Sequence, residues 1–191
     1  MLELHDVLIQ QRQQPVSLTA RDGQLVCISG APGSGKTTLL RTVMGLVPFR
    51  GGHISFDGEL LTPLSAVYFR HFMGYVPSRL ELIPGQDRVA DARRLLQGLS
   101  AGRQQLLPSL PGEERLWGQL SRQEQFLVLL QLVVSQQRRL LLVDEPHCAL
   151  SQGQQYEAEV LLPQALSAGA SVVVVSSEQS VRSLTPNIIE L

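Results

Sequence analysis

The sequence has 191 residues, of which 43% are hydrophobic and 17% are charged, and its net charge is −1. This length suits one domain with room for a sub-domain, and the composition disfavours intrinsic disorder and coiled coil. The near-neutral charge gives no reason to expect a nucleic-acid partner, and no apolar run reaches the ~18 residues of a membrane-spanning helix.

The N-terminal residues and the cysteines bear on the compartment. Met1 to Asp6 place no basic region before an apolar one, so we expect no signal peptide. The two cysteines, Cys27 and Cys148, cannot build a disulfide framework and lack the spacing of a metal site. These features predict a cytosolic protein with reduced thiols.

Short strand-like segments lie near both ends of the chain. Leu2 to Ile9 and Val16 to Thr19 flank a Gln-rich turn, and His53 to Gly58 alternates in polarity before a turn. Asn187 to Leu191 has the composition of one more strand. Together these segments predict a small antiparallel β layer beside the rest of the fold.

A glycine-rich loop follows the buried strand predicted at 25–29 and precedes an amphipathic helix predicted at 37–46. Residues 30–37 match the pattern G-x-x-x-x-G-K-[ST] completely. Its glycines turn backbone N–H groups towards phosphate oxygens, and the helix N-terminus adds partial positive charge. The predicted nucleotide-binding residues are Gly30, Ala31, Pro32, Gly33, Ser34, Gly35, Lys36, Thr37 and Thr38.

Lys36 is the single lysine of the chain, beside fifteen arginines. A lysine binds phosphate as a compact point charge, unlike the planar guanidinium of arginine, so its retention here has a chemical reason. In this motif, Lys36 reaches the β- and γ-phosphates of a nucleotide and the Thr37 hydroxyl ligates Mg²⁺.

The middle of the chain changes in character between Ser78 and Leu120. A helix is predicted at 87–96, and Pro108 and Pro111 mark loops. We predict that residues 78–119 form an inserted helical sub-domain and that residues 1–77 and 120–191 form the core with its antiparallel layer. The next helix is predicted over 121–138, where Ser121 and Glu124 match a capping box.

The second strong motif is the apolar run Leu140 to Val143, which ends in the carboxylates Asp144 and Glu145. Such a run predicts a central parallel strand whose C-terminal end meets the ligand. Asp144 is the candidate Mg²⁺ ligand, and Glu145 is the candidate catalytic base that orients or deprotonates an attacking water.

Further buried strands are predicted at 170–177 and 74–77. Strands that alternate with helical segments indicate a parallel sheet. The predicted fold class is α/β: a P-loop NTPase core with a parallel sheet, an antiparallel β layer and an inserted helical sub-domain.

In their order along nearly the whole chain, these features resemble the nucleotide-binding domain of ABC (ATP-binding cassette) transporters. Residues 51–58 are similar to the family's G-x-I-x-x-x-G strand pair, and residues 74–77 are similar to the strand before its glutamine loop. Leu120 and Ser121 stand where the family has its LSGGQ signature. The resemblance identifies the chain as a short member with degenerate motifs.

The resemblance implies ATP and Mg²⁺ as cofactors and ATP hydrolysis as the chemistry. It implies a dimer, of identical or different chains, in which the signature helix of one subunit caps the ATP of the other. It also implies a membrane-spanning permease as partner, no nucleic acid, and a cytoplasmic location at the inner face of the cell membrane.

Departures from the family pattern affect several accessory positions. Ser78 occupies the glutamine-loop position, where its hydroxyl is too short to replace an amide that reaches Mg²⁺ and water. Arg122 and Gln123 replace the two signature glycines, and Ser177 occupies the position of the switch histidine. Residues 148–151 lack the aspartate that follows the second motif in the family, and residues 1–22 contain no aromatic residue to stack on adenine.

Two roles remain open at the degenerate signature. Ser121 either bonds a phosphate of the partner's nucleotide or only caps its helix, and Arg122 is either a cation acting in trans or solvated.

Because the phosphate loop, Asp144 and Glu145 are intact, we expect nucleotide binding with slow hydrolysis. The alternative is a structural or regulatory subunit that binds nucleotide without useful turnover. A small P-loop kinase and a DNA-repair cassette are disfavoured, since neither an Arg-rich lid nor a long coiled-coil insertion is present.

Overall fold

The computed structural model describes residues 1–10, 12–79, 83–98, 112–146, 155–177, 185 and 187–191. In chain order the elements are β1 (Leu2–Leu8), β2 (Val16–Ala20), β3 (Leu25–Ser29), α1 (Lys36–Val43), β4 (Gly51–Phe56), β5 (Glu59–Leu60), α2 (Ala66–Arg70), β6 (Met73–Val76), α3 (Val89–Gly98), a 3-10 turn (Trp117–Gln119), α4 (Arg122–Ser135), β7 (Leu140–Asp144), α5 (Gln155–Ser167), β8 (Ser171–Ser176) and β9 (Ile188–Glu190).

A parallel five-stranded sheet in the order β6-β7-β8-β3-β9 forms the centre of the fold. The strands β3, β7 and β8 are buried along their whole length, as their uninterrupted apolar sequences predict. Asp144 pairs in register with Val175, and Ser176 pairs with Ser29. The carboxyl ends of these three strands therefore meet at one edge of the sheet, where ligands of open α/β sheets bind.

Alternate side chains of the parallel sheet enter two separate hydrophobic cores. Cys27, Leu141 and Val174 face a core that includes buried residues of α4 and α5. Ile28 and Leu142 face a second core, which is shared with α1 and with the antiparallel sheet β2-β1-β4-β5. This two-sided burial fixes the register of the strands and holds their ends in place.

The antiparallel layer is confirmed for its N-terminal strands and for β4, but the predicted assignment of the C-terminal strand to it is wrong. Instead, β9 pairs in parallel with β3 at the edge of the central sheet, with Ile188 opposite Cys27. Backbone bonds from Cys27 N–H to Asn187 O (2.9 Å) and from Leu191 N–H to Ser29 O (2.7 Å) complete this pairing. The composition of a three-residue strand carries no information about its direction, whereas the free edge of β3 accepts it in parallel.

The described parts of the 78–119 segment contain α3 and the 3-10 turn. Trp117 is 2% exposed and lies in the same core as Phe126 of α4. Backbone bonds from Gly118 N–H to Gly85 O and from Val89 N–H to Arg115 O connect the two ends of the segment. The division of the chain at residues 78 and 119 remains a prediction. Among the described residues, no helix is long and apolar enough to cross a membrane.

Two glycines of the antiparallel layer adopt left-handed backbone angles for different reasons. Gly58, with φ of +82°, occupies the tight turn between β4 and β5 and has open space around it. Gly52, with φ of +79°, faces an irregularity in the pairing of β1 with β4, where a methyl group would overlap the carbonyl oxygens of His5 and Asp6.

We expect Gly52→Ala to destabilise the protein more than Gly58→Ala. The Gly58 substitution incurs only left-handed strain of about 1 kcal/mol. The Gly52 substitution adds a clash with backbone, which raises its cost to about 3 kcal/mol. Urea denaturation of the two variants measures this difference, and equal midpoints would contradict the prediction.

Candidate nucleotide-binding site

The glycine-rich loop joins β3 to α1 with backbone angles that favour glycine. Gly33 and Gly35 have φ of +83° and +99°. At Gly30, a Cβ would lie 2.6 Å from Ser34 Oγ and 2.8 Å from the Leu191 carbonyl oxygen, so a side chain does not fit there. These glycines allow the loop to fold tightly before the first turn of α1, as phosphate-binding loops require.

Lys36, the first residue of α1, extends back into the loop. Its Nζ donates to the carbonyl oxygens of Gly30 (2.8 Å) and Ala31 (3.0 Å), and it lies 3.2 Å from Glu145 Oε1. The residue is only 4% exposed. The single lysine of the chain is thus a buried cation at the loop, paired with the carboxylate that follows Asp144.

Asp144 ends β7 and is fully buried. Its carboxylate accepts hydrogen bonds from three hydroxyl groups: Thr37 Oγ1 at 3.0 Å from both oxygens, Ser78 Oγ at 3.1 Å and the Tyr75 phenol at 3.3 Å. The two residues predicted to ligate Mg²⁺, Thr37 and Asp144, are therefore in direct contact in the structure. Burial, followed by the neighbouring Asp144 carboxylate, raises the pKa of Tyr75 to about 12, so this phenol keeps its proton.

Glu145 has a left-handed backbone, with φ of +49°, immediately after the strand. Its N–H donates to the carbonyl oxygen of Val175, and its Oε2 accepts from Ser177 N–H (2.8 Å) and Ser177 Oγ (3.1 Å). The predicted switch position therefore lies beside the predicted base. Ser177 holds one carboxylate oxygen of Glu145 while Lys36 pairs with the other.

The oxygen groups around Asp144 fit a bound magnesium ion. A buried carboxylate with hydroxyl partners provides the hard oxygen donors that Mg²⁺ prefers. In the described part of the chain, the side-chain partners of the Asp144 carboxylate are the neutral hydroxyl groups of Thr37, Tyr75 and Ser78. The described residues contain no cluster of three or more His, Cys, Asp or Glu side chains that could hold a metal ion.

A cleft of about 640 Å³ opens next to this site. Polar residues from α1 and from the segment after β6 line it, together with apolar ones: Thr37, Arg41, Met44, Leu46, Tyr75, Pro77, Ser78 and Arg79. Ser78, the residue at the glutamine-loop position, lies between this cleft and Asp144. Its hydroxyl reaches the carboxylate of Asp144, a contact that sequence reasoning did not anticipate.

Tyr75 is the site residue that sequence reasoning missed. Residues 74–77 were predicted only as a strand, although the partly buried Tyr75 alternates with the buried Gly74 and Val76. The signal that could have revealed this residue is the polar hydroxyl of a tyrosine on a partly buried strand beside β7. A buried phenol needs a hydrogen-bond partner.

The predicted capping box at the degenerate signature is confirmed. Ser121 Oγ accepts from Glu124 N–H (3.2 Å), and Glu124 Oε2 accepts from Ser121 N–H (2.7 Å). Arg115 Nη1 lies 2.6 Å from Glu124 Oε1. Together these bonds lower the pKa of Glu124 to about 2, and the hydrogen bond from Arg115 has the largest effect. Arg122 is exposed beside this cap. The residues 148–151, noted for a missing aspartate, lie outside the described residues.

A family model described as "ABC transporter" matches residues 13–148. The chain belongs to the ABC transporter family. It is an ABC-type ATP-binding domain, and its predicted α/β cassette fold is confirmed.

Two curated relatives illustrate the similarity. The chain is 33% identical over 156 residues to an uncharacterized ABC transporter ATP-binding protein of Haemophilus influenzae, covering 74% of the chain and 59% of that protein. It is 32% identical over 178 residues to the Fe(3+) ions import ATP-binding protein FbpC of Pseudomonas fluorescens, covering 87% of the chain and 50% of that protein. The chain thus spans between half and three-fifths of the length of these relatives.

Solved structures show the same fold. The ATP-binding subunit of an ABC transporter superposes with a TM-score of 0.85 at 19% identity, covering 100% of this chain and 85% of that one. A dimeric bacterial ABC transporter cassette gives a TM-score of 0.84 at 22% identity, covering 100% of this chain and 94% of that one.

We expect Ser121→Ala to destabilise the protein by about 1 kcal/mol, because it removes the acceptor for the Glu124 N–H. Ser121→Asn, which keeps a strong capping acceptor, should retain nearly the wild-type free energy of unfolding. Chemical denaturation compares the two variants. If Ser121→Ala were as stable as wild type, the cap would not be a role of this serine.

The lowered pKa of Glu124 predicts a pH-dependent contribution to stability. The folded state binds the Glu124 proton less readily than the unfolded chain, whose pKa is near the ordinary value of 4.5. The contribution is therefore complete above pH 4.5 and is lost as the pH falls towards 2. Between these pH values, wild type should lose more stability than Glu124→Gln in parallel denaturation curves. Equal losses would contradict the prediction.

Proposed function

We propose that this chain is the ATP-binding subunit of an ABC transporter, which binds Mg-ATP and hydrolyses it slowly. The observation that carries the proposal is the assembly of Lys36, Thr37, Asp144 and Glu145 at one edge of the parallel sheet. Nucleotide phosphate, metal and water chemistry each have a residue of suitable type there.

Binding rests on the phosphate loop and α1. The backbone N–H groups of the loop and the positive end of α1 attract phosphate oxygens, and Lys36 supplies the cation. Thr37 and Asp144 would hold Mg²⁺, which neutralises charge on the phosphate oxygens when it is bound. Since Lys36 also pairs with Glu145, a phosphate competes with this carboxylate for the ammonium group.

Glu145 is the base in this proposal. A phosphate that takes over Lys36 leaves Glu145 Oε1 able to accept a proton from water. Ser177 retains Oε2 through its N–H and hydroxyl and so keeps the carboxylate oriented.

Slow turnover follows from the substituted accessory residues. Ser177 orients Glu145 but has no imidazole to contact a phosphate or carry a proton. The hydroxyl of Ser78 bonds Asp144 and is shorter than the amide of a glutamine. Arg122 and Gln123 replace glycines whose bare backbone would approach a partner's nucleotide. Each lost stabilising donor costs about 2–4 kcal/mol of transition-state energy, and such losses are not additive.

The proposed partners are a second ATP-binding subunit, identical or different, and a membrane-spanning permease. The cleft beside Ser78 is lined by the basic Arg41 and Arg79 and by the apolar Met44 and Leu46. This mixed lining suits an amphipathic segment of such a permease. Docking there would place the chain at the cytoplasmic face of the membrane. The names of similar proteins cite cargo as different as Fe(3+) ions, vitamin B12 and hemin, so we assign cargo selection to the permease.

Single-turnover hydrolysis of Mg-ATP by the purified protein tests this proposal. We expect wild type to bind ATP and to hydrolyse it slowly, because the residues that hold phosphate are intact. Lys36→Ala should lose binding, since it removes the only lysine. Glu145→Gln should bind ATP at least as well as wild type, because Lys36 is freed from its carboxylate partner, but should not hydrolyse it.

Three outcomes contradict parts of the proposal. Absence of ATP binding by folded wild type overturns it entirely. Binding through Lys36 without any turnover favours the structural or regulatory subunit. Rapid turnover by the protein alone contradicts the importance given to Ser78, Arg122, Gln123 and Ser177.

A further inference from the structure

The hydrogen bonds to Asp144 are distributed unequally between its two carboxylate oxygens. Oδ2 accepts from Tyr75 (3.3 Å), from Ser78 (3.1 Å) and from Thr37 (3.0 Å). Among the described residues, Oδ1 accepts a side-chain bond only from Thr37 (3.0 Å). A carboxylate oxygen has about two lone-pair positions. The lone pairs of Oδ2 are therefore occupied by donors from the protein. Oδ1 accepts from Thr37 and keeps a lone pair, on the side of Thr37, for a further ligand.

Tyr75 and Ser78 approach Asp144 from the same direction. Tyr75 lies on β6, which pairs in parallel with β7, with Tyr75 opposite Leu142. Ser78 follows two residues after the end of β6. The ring of Tyr75 packs against the core shared with α1, so its hydroxyl is held at a fixed position. One strand end thus supplies both donors to Oδ2, while α1 supplies Thr37.

We propose that Tyr75, together with Ser78, is a positioning residue of the metal site: their hydroxyls hold Asp144 Oδ2 so that Oδ1 is presented to Mg²⁺. The proposal rests on the proposed function, since it concerns how the chain binds metal with nucleotide. It assigns a role to a tyrosine whose hydroxyl bonds the Asp144 carboxylate and which belongs to neither predicted motif. It also explains how the site keeps its carboxylate oriented where Ser78 stands in place of a glutamine.

The test measures how strongly Mg²⁺ strengthens nucleotide binding. The dissociation constant of a fluorescent trinitrophenyl-ATP is determined with EDTA and with saturating MgCl₂, and their ratio is the coupling between metal and nucleotide. Loss of a residue that orients a metal ligand costs about 10–100-fold in metal affinity. We expect Tyr75→Phe to reduce the ratio about tenfold while the dissociation constant in EDTA stays unchanged.

Two further variants make the test decisive. Ser78→Ala removes the second donor to Oδ2 and should also reduce the ratio, again without changing binding in EDTA. Tyr68→Phe is the matched control, because Tyr68 is 57% exposed on α2 and should keep the wild-type ratio. A purely structural role for Tyr75 would instead weaken binding in EDTA and MgCl₂ alike. If Tyr75→Phe does not fold, Ser78→Ala decides the question.

The outcomes separate this inference from the proposed function. If folded wild type does not bind the nucleotide under either condition, the proposed function fails. If wild type shows metal coupling and both Tyr75→Phe and Ser78→Ala keep the ratio within about twofold, only the inference is overturned. A reduced ratio in Tyr68→Phe as large as in Tyr75→Phe would also overturn it.

Discussion

The contact between Thr37 and Asp144 connects the two halves of the site. It joins residues 107 positions apart, at the start of α1 and at the end of β7, and its 3.0 Å bonds reach both carboxylate oxygens. The strand β8 lies between β3 and β7, so the contact requires these three strands to end at the same level. The parallel register with Asp144 opposite Val175 and Ser29 opposite Ser176 provides this alignment. The two cores on either side of the sheet are thus what stabilises the site, since they fix that register.

The two adjacent carboxylates have opposite electrostatic environments. Glu145 pairs with Lys36 at 3.2 Å, while Asp144 is fully buried and accepts bonds from neutral hydroxyl groups. Among the described residues no cation pairs with Asp144; a buried charge without a counter-ion is costly, and hydroxyl donors offset only part of that cost. A divalent cation at Asp144 therefore gains more than one placed at the already paired Glu145. Under the proposed function, a phosphate that engages Lys36 releases Glu145 from this ion pair. Under the proposed function, this difference in local charge supports Asp144 as the metal ligand and Glu145 as the base.

The sequence was sufficient for those features that depend on local pattern. The strands at 25–29 and 140–144, the glycine-rich loop and the Ser121 cap all follow from apolar runs, backbone freedom or capping chemistry, and the structure contains each of them. The placement of β9 was predicted wrongly, and the reach of the Tyr75 phenol was not predicted. Both depend on which strand lies next to which, and three residues of strand or one tyrosine carry no information about a neighbour distant in the chain. Tertiary pairing supplies that information through the free edge of β3 and the β6–β7 register.

Two of the substituted family positions share a structural consequence. Ser78 and Ser177 are both too short to act as the glutamine and histidine that the family has at these positions. Each nevertheless donates its hydroxyl to one of the two carboxylates, Ser78 to Asp144 at 3.1 Å and Ser177 to Glu145 at 3.1 Å. A side chain that bonds a carboxylate within the protein stabilises its orientation before any ligand binds, whereas a longer one contacts the ligand itself. Under the proposed function, these substitutions therefore preserve the preorganised ground state and remove contacts specific to the transition state. Interactions that are equal in both states affect binding, and those made only in the transition state affect the rate. The structure thereby gives a physical reason why binding and rapid hydrolysis should separate in this chain.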